Sequence, residues 1–189
     1  MTKHYWKIFA GIVAVQLLLS WWVPITSDEA YFYTWAVHLD VNYYDHPPMV
    51  GWLIHLLLPL GRHIFFFRLI AVVTGIVVAL GIRRIASRLW HQPEKARLLS
   101  LVYLAVPMHV LFIPITTDTP LFLFSFLCGA SFARGVIRDR SLPIFLAGVF
   151  LGLAALSKYF AVLLIPGLLA WLLLYRRDRL LRWGLLLAA

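Results

Sequence analysis

Residues 64–82 read IFFFRLIAVVTGIVVALGI, and Arg68 is the one charged side chain in these 19 residues. A helix needs roughly 20 mostly apolar residues to cross the hydrocarbon core of a bilayer. This run meets that requirement and predicts a transmembrane helix. Similar apolar runs recur along the chain, so the run at residues 64–82 indicates a fold made of transmembrane helices.

We predict further spans over residues 5–23, 98–115, 120–133, 142–156 and 160–175, and a seventh run that begins at Trp183. The segment 49–60 is apolar but too short to span, which favours a re-entrant or interfacial helix. The expected fold is all-α, a polytopic transmembrane helical bundle with interfacial helices in the first outer loop. We expect residues 1–189 to be the N-terminal part of such a domain, cut off at the start of the seventh span.

Composition agrees with a membrane protein. Of the residues, 62% are hydrophobic and 13% are charged, and the mean hydropathy is +0.87. Such a chain cannot cover a soluble domain with polar surface. Residues 20–22, Ser-Trp-Trp, are a poor signal-peptide cleavage site, so we expect the first helix to remain uncleaved. The single cysteine, Cys128, lies within an apolar run and excludes a disulfide framework.

The basic residues indicate an orientation rather than a nucleic-acid partner. The net charge is +9, but the lysines and arginines lie mostly in short loops between spans. If the N-terminus is cytoplasmic, 14 of the 17 lysines and arginines lie on the inside. We therefore expect a multi-pass protein with a cytoplasmic N-terminus, membrane lipids around it and no nucleic-acid partner.

Ionisable residues gather in the predicted outer connections. The first outer loop holds the motifs Ser27-Asp28-Glu29 and Asp45-His46-Pro47-Pro48, the second holds Asp118, and the third holds Lys158. Polar groups beside a bilayer are costly to bury, so a cluster of them suggests a functional site.

Asp28 is the strongest candidate for catalysis. Thr26 and Glu29 match a capping box, which gives Glu29 a structural alternative to a catalytic role, whereas the box does not require Asp28. A carboxylate at this position is suited to act as a general base. We place the aromatic helix that follows, over residues 30–39, flat on the outer interface. Its aromatic residues either anchor the helix or form a wall for a lipid chain or a sugar ring, and we assign Tyr31, with Tyr44, to substrate binding.

The remaining polar residues leave alternatives open. Prolines hold Asp45 and His46 in an extended stretch, either as an ordinary loop or as substrate-binding residues. Asp45 and His46 are also the candidates for a divalent metal cation, the one cofactor that we consider. Asp118 either starts a helix that Thr119 caps or contributes to the site. Lys158 either snorkels to the interface or binds a lipid phosphate.

The order of these motifs resembles a known family. Asp28-Glu29 with aromatics is followed by His46-Pro47-Pro48, by Thr117-Asp118-Thr119-Pro120-Leu121, and by a run that ends in Ser157-Lys158-Tyr159. This order resembles the N-terminal membrane region of the GT-C glycosyltransferases, in the bacterial branch related to protein O-mannosyltransferases and lipid A aminoarabinose transferases.

The resemblance implies a transferase that moves a sugar from a polyprenyl-phosphate donor to a hydroxyl of a lipid, glycan or protein acceptor. It implies an inverting displacement at the periplasmic face of a bacterial inner membrane, with Asp28 as the base. It places Asp118 in the site and Lys158 near the donor phosphate, and we count Glu29 and Asp118 with Asp28 as the catalytic acids. His46 occupies a position where some relatives have lysine.

Two alternatives remain. A non-catalytic fragment or subunit would keep the fold without a complete site. A transporter or lipid flippase would place ionisable residues near the midplane of several spans. Here the charges gather at one face, which favours chemistry at the membrane surface.

Overall fold

The computed structural model describes residues 2–107 and 113–188. Within these residues the protein is helical and contains no strand, which confirms the all-α prediction. The described helices are α1 Thr2–Trp22, α2 Ser27–Val37, α3 Met49–Leu57, α4 Ile64–Trp90, α5 Pro93–Ala105, α6 Asp118–Arg138, α7 Ser141–Ala155, α8 Leu164–Tyr175 and α9 Leu180–Ala188.

Three of the described helices, α1, α4 and α6, are long and apolar enough to cross a membrane. The segments Tyr159–Tyr175 and Arg177–Ala188 together form a fourth candidate span, bent by 115°. The helix α7 and the segment Met49–Leu60, which contains α3, are apolar but shorter. The chain is therefore a multi-pass membrane protein, as its composition predicts.

The helix α4 continues well beyond the predicted end at residue 82. It runs for 27 residues to Trp90 and ends at His91, whose φ of 53° is left-handed. Arginines at 83, 84 and 88 end the apolar run, but arginine is a good helix former, so the helix continues beyond that run. Pro93 then starts α5 at the first helical position.

The predicted span over residues 98–115 is wrong as one continuous helix. The helix α5 begins at Pro93 and ends at Ala105, and Val106 has an extended ψ of 130°. Pro107 explains this end, because a proline disfavours helical geometry in the residue before it. Residues 108–112 of the predicted span lie outside the described residues.

Two short helices of the first connecting loop pack on the start of α4. Their buried apolar residues form one cluster with residues of α4 and of the segment before α6, namely Phe32, Trp35, Ala36, Val50, Ile54, Phe67 and Ile115. The helices α2 and α3 also approach closely, because a Cβ at Gly51 would lie 2.9 Å from the Cβ of Trp35. This cluster fixes α2, which carries two of the predicted catalytic residues, Asp28 and Glu29.

The remaining helices form two further apolar clusters. One joins α1, α4 and α5 around Tyr5, Phe9, Ala79 and Leu104. The other joins α6 to α9 around Cys128, Phe132, Ile144, Ala147, Leu172, Trp183 and Leu187. In the latter, a Cβ at Gly148 of α7 would lie 2.6 Å from the backbone oxygen of Leu186, so α7 and α9 are in backbone contact.

Candidate active site

The helix α2 begins with the predicted capping box. The Thr26 hydroxyl accepts a hydrogen bond from the Glu29 backbone N–H at 3.3 Å, and Glu29 Oε2 accepts one from the Thr26 N–H at 3.0 Å. The Thr26 hydroxyl itself donates to the same carboxylate oxygen at 3.1 Å. The box satisfies backbone donors that the first helical turn leaves unpaired, and it fixes the direction in which α2 starts.

The same glutamate forms a buried ion pair with Arg68 of α4. Arg68 Nε donates to Glu29 Oε1 and Arg68 Nη2 donates to Glu29 Oε2, both at 2.7 Å. Neither side chain is exposed to solvent. The backbone N–H of Ile115 also donates to Oε1, at 3.1 Å. Glu29 therefore joins α2, α4 and the segment that leads into α6.

Arg68 has no donor left for a ligand. Its Nη1 donates to the carbonyls of Ser20 and Val23 at 3.2 and 2.6 Å, and its Nη2 donates to the carbonyl of Pro24 at 2.8 Å. With the two bonds to Glu29, all five guanidinium N–H groups are used. Arg68 therefore has a structural role rather than a phosphate-binding one.

The electrostatics of Glu29 favour the charged form. Burial alone would raise the pKa of its carboxyl, but the hydrogen bonds from Arg68 and Thr26, the charge of Arg68 and the Ile115 N–H outweigh burial and lower the pKa. A buried, saturated carboxylate cannot reach a substrate proton. The geometry thus favours a positioning role for Glu29 over the catalytic role predicted for it.

Asp28 has the opposite environment. Its side chain is exposed, one residue before Glu29 in the first turn of α2, and it makes no hydrogen bond or ion pair within the described part of the chain. The positive end of the helix dipole favours a carboxylate in this turn. Asp28 is therefore available to accept a proton, on a turn whose backbone the Glu29–Arg68 pair holds in place.

Tyr31 and Asp45 lie together, one on α2 and one on the loop before α3. The Tyr31 hydroxyl donates to Asp45 Oδ1 at 3.2 Å. Desolvation, followed by this contact with Asp45, raises the pKa of Tyr31. The pair ties the exposed face of α2 to the proline stretch that follows Asp45.

The proline stretch contacts the end of α7. Pro47 and Pro48 are buried, and the N–H of Met49, the first residue of α3, donates to the carbonyl of Leu156 at 3.0 Å. The ring of His46 lies 6.5 Å from that of Trp35. Tyr44, predicted to bind substrate, is fully exposed and has no partner among the described residues.

Asp118 and Lys158 form another ion pair at this end of the bundle. Lys158 Nζ lies 2.8 Å from both carboxylate oxygens of Asp118, and the Lys158 and Asp118 side chains are 22% and 44% exposed, respectively. Nζ also lies 5.6 Å from the centre of the Phe160 ring. Lys158 thus extends to a partner rather than only snorkelling. The predicted Thr119 cap is wrong, since α6 begins at Asp118 and Thr119 Oγ1 accepts from the Thr116 N–H.

Specific bonds therefore join all three connections at this end. Glu29 binds the N–H of Ile115, Met49 binds the carbonyl of Leu156, and Asp118 binds Lys158. These bonds do not connect Asp28, His46 or Tyr44 to the Asp118–Lys158 pair.

A cavity that sequence reasoning missed lies beside Asp118. It has a volume of about 480 Å³ and is lined by residues of α1, α4 and the segment 113–122. The hydroxyl of Thr74 in its wall is buried and has no hydrogen-bond partner within the described residues. Thr74 and Gln16 are polar residues within apolar spans, and their position is the feature of the sequence that could have indicated this cavity.

Comparison with known proteins identifies the family. The family of dolichyl-phosphate-mannose-protein mannosyltransferases matches residues 45–189. The chain belongs to this family. The resemblance to bacterial GT-C glycosyltransferases is thereby confirmed.

A curated relative in Rhizobium johnstonii (strain DSM 114642 / LMG 32736 / 3841), the lipid A galacturonosyltransferase RgtD, is 31% identical over 144 residues. The match covers 74% of this chain and 30% of the relative, so the chain spans less than a third of that protein. No solved structure matches the chain.

The family match contains some of the site residues. Asp45, His46, Asp118 and Lys158 lie within it, whereas Asp28 and Glu29 lie before its first residue. The exposed carboxylate of Asp28 therefore lies outside the matched region, whereas the Asp118–Lys158 pair lies within it.

The residues proposed for a metal do not form a complete ligand set. Within residues 2–107 and 113–188, no group of three His, Cys, Asp or Glu side chains is placed to hold a metal ion. Asp45, one of the two candidates, accepts a hydrogen bond from Tyr31 instead. A cation at Asp45 and His46 would need further ligands from outside these two side chains.

Proposed function

We propose that this chain is part of a membrane glycosyltransferase in which Asp28 is the general base. The observation that carries the proposal is the difference in burial and pairing between the adjacent residues Asp28 and Glu29. Glu29 is buried and saturated by Arg68, while Asp28 on the same turn is exposed and has no partner within the described residues. A fixed backbone with one free carboxylate is the arrangement that general-base catalysis requires.

In the proposed step, the carboxylate of Asp28 takes the proton of an acceptor hydroxyl. The hydroxyl oxygen forms a bond to the anomeric carbon of the donor sugar as the bond between that carbon and the phosphate oxygen breaks. The electron pair of the broken bond leaves with the lipid phosphate. A single displacement of this kind inverts the configuration at the anomeric carbon.

Lys158 is the proposed partner of the donor phosphate. An ammonium has three N–H donors, and two of those of Lys158 point to the oxygens of Asp118. The third can donate to a phosphate oxygen, where the positive charge stabilises the leaving group. Asp118 then acts by holding Lys158 at the edge of the cavity that Asp118 lines.

The names of the related proteins support the substrate class. The family name specifies a sugar carried on a polyprenyl-type lipid phosphate, and the relative acts on lipid A. We propose a polyprenyl-phosphate sugar as donor, a hydroxyl of a lipid, glycan or protein as acceptor, and the periplasmic face of the inner membrane as the location. The transporter alternative is less supported, because the ionisable Arg68 within α4 is fully paired.

The test compares two matched variants of the expressed protein, Asp28→Asn and Asp40→Asn. Both remove one carboxylate from an exposed position in the same loop. Asp40 accepts a hydrogen bond from the Val41 N–H, and the amide oxygen of asparagine can accept the same bond. Transfer is measured on membranes with a panel of polyprenyl-phosphate-linked sugars. We expect Asp28→Asn to reduce transfer by about 10²–10⁴-fold, the usual contribution of a general base.

The Asp40→Asn control should transfer at nearly the wild-type rate, and both variants should reach the membrane in equal amounts. Undiminished transfer by Asp28→Asn would overturn the role of Asp28. Equal losses in both variants would assign the effect to the loop rather than to the base.

A further inference from the structure

A groove separate from the cavity beside Asp118 lies between α4 and α6, away from Asp28. It has a volume of about 360 Å³. Apolar side chains form its walls, Val77, Ile85 and Leu89 from α4 and Phe126, Leu127 and Ile137 from α6. Leu89 and Ile137 are 64% and 76% exposed, so the groove is open on the outside of the helix pair.

Four arginines line the same groove toward the ends of the two helices. Arg84 and Arg88 are four residues apart on α4, and Arg134 and Arg138 are four residues apart on α6. Residues with this spacing lie one helical turn apart on one face. Each helix therefore contributes two guanidinium groups to one end of an apolar groove.

These four charges are not neutralised within the described part of the chain. None of the four side chains has a hydrogen-bond or ion-pair partner there. The nearest acids in sequence are already paired, Glu94 with Arg97 and Asp139 with Arg176 and Arg179. The groove therefore combines uncompensated positive charge with an apolar wall.

We propose that this groove binds an anionic phospholipid from the leaflet at this end of the bundle. Guanidinium groups match the oxygens of a phosphodiester in geometry and charge. The apolar walls, open toward the bilayer, accommodate an acyl chain, which a free phosphate ion lacks. Basic pockets between membrane helices bind anionic headgroups in this way. This site is separate from the proposed glycosyl transfer and does not depend on it.

The experiment uses the expressed protein purified in detergent and a fluorescent phosphatidylglycerol probe. The test variant is Arg84→Gln combined with Arg134→Gln. The control is Arg140→Gln combined with Arg182→Gln, which removes two exposed arginines outside the groove that have no partner among the described residues. A third variant, Ala130→Trp, fills the groove between its walls without changing any charge.

We expect the test variant to weaken probe binding by about 25-fold, since each arginine that contacts the lipid headgroup contributes about fivefold. The control should stay within about twofold of wild type. The Ala130→Trp variant should also weaken binding, and unlabelled phosphatidylglycerol should displace the probe while phosphatidylcholine should not.

Three results would overturn the proposal. Equal weakening by the test and control pairs would indicate diffuse attraction by net charge. Unchanged binding in Ala130→Trp would exclude the groove as the place of the acyl chain. Displacement of the probe by inorganic phosphate as readily as by phosphatidylglycerol would indicate a phosphate site rather than a lipid site.

Discussion

At the scale of single residues, the buried pair of Glu29 and Arg68 organises the site. The capping box could be read from the sequence, because Thr26 and Glu29 are three residues apart and the rule that joins them is local. Arg68 lies 39 residues from Glu29, and no local pattern predicts that contact. The sequence therefore pointed to Asp28 over Glu29 without showing what holds Glu29.

We predict that Glu29→Gln strongly destabilises the protein. Removing one partner leaves the charge of Arg68 buried without compensation, which costs about 3–5 kcal/mol. Glu94→Gln is the matched control, since Glu94 pairs with Arg97 at the surface, where such pairs contribute at most about 1 kcal/mol. The thermal midpoint in detergent, followed by tryptophan fluorescence, should fall clearly further in Glu29→Gln. Equal midpoints would contradict the assigned role.

The same variant provides a second readout, its dependence on pH. The folded-state pKa of Glu29 is lowered from an ordinary value of 4.5. Its contribution is therefore complete above about pH 4.5 and is lost as the pH falls through the lowered pKa. The wild-type midpoint should decline in that acidic range, and in Glu29→Gln this part of the decline should be absent.

At the scale of elements, the presence of the long helices could be predicted from the sequence, but their end residues could be predicted less well. The hydropathy of the sequence located α1, α4 and α6. The apolar run of α4 ends at the first arginines, whereas the helix itself continues to Trp90. The end of α5 follows from Pro107, a local signal that a smooth hydropathy profile hides. The pairing of Asp118 with Lys158 could not be read, because it depends on how α6 and α7 pack.

We predict that Gly148→Ala separates α7 from α9. The added methyl would lie 2.6 Å from the Leu186 oxygen and 2.8 Å from that of Leu187, and both are backbone atoms that cannot rotate away. Overpacking of this kind costs about 1–3 kcal/mol. The thermal midpoint in detergent should fall.

Gly152→Ala is the matched control for that substitution. Gly152 lies one turn further along α7, and beyond its chain neighbours and the α7 backbone no described atom lies within 4 Å of an added Cβ. Alanine is the better helix former by about 1 kcal/mol, so this variant should be as stable as wild type or more so. A lower midpoint for Gly152→Ala than for Gly148→Ala would show that α7 and α9 do not meet as described.

At the scale of the whole molecule, the connections at one end converge, and charge asymmetry in the sequence anticipated this. The predicted outer loops at Asp28, Asp118 and Lys158 are joined by specific bonds in the structure. The asymmetry could not show which side chains pair, nor that a cavity lies beneath Asp118.

We predict that Tyr44 and Arg140 face opposite sides of the membrane. The 21 residues of α6, about 31 Å of helix, separate the Asp118 end from the end near Arg140. In spheroplasts, an impermeant maleimide should label Tyr44→Cys directly and Arg140→Cys only after permeabilisation. Wild type is the control, because Cys128 is buried and should remain unlabelled. The reverse pattern would invert the proposed orientation.

The contacts of Arg68 also have a consequence for biogenesis. Each group that its guanidinium binds, the carbonyls of residues 20, 23 and 24 and the Glu29 carboxylate, is synthesised before Arg68 itself. When the ribosome delivers α4 to the membrane, the nascent chain already holds every partner that this charge requires. Arg68 can therefore be neutralised during translation, and the later arrival of Ile115 completes the scaffold.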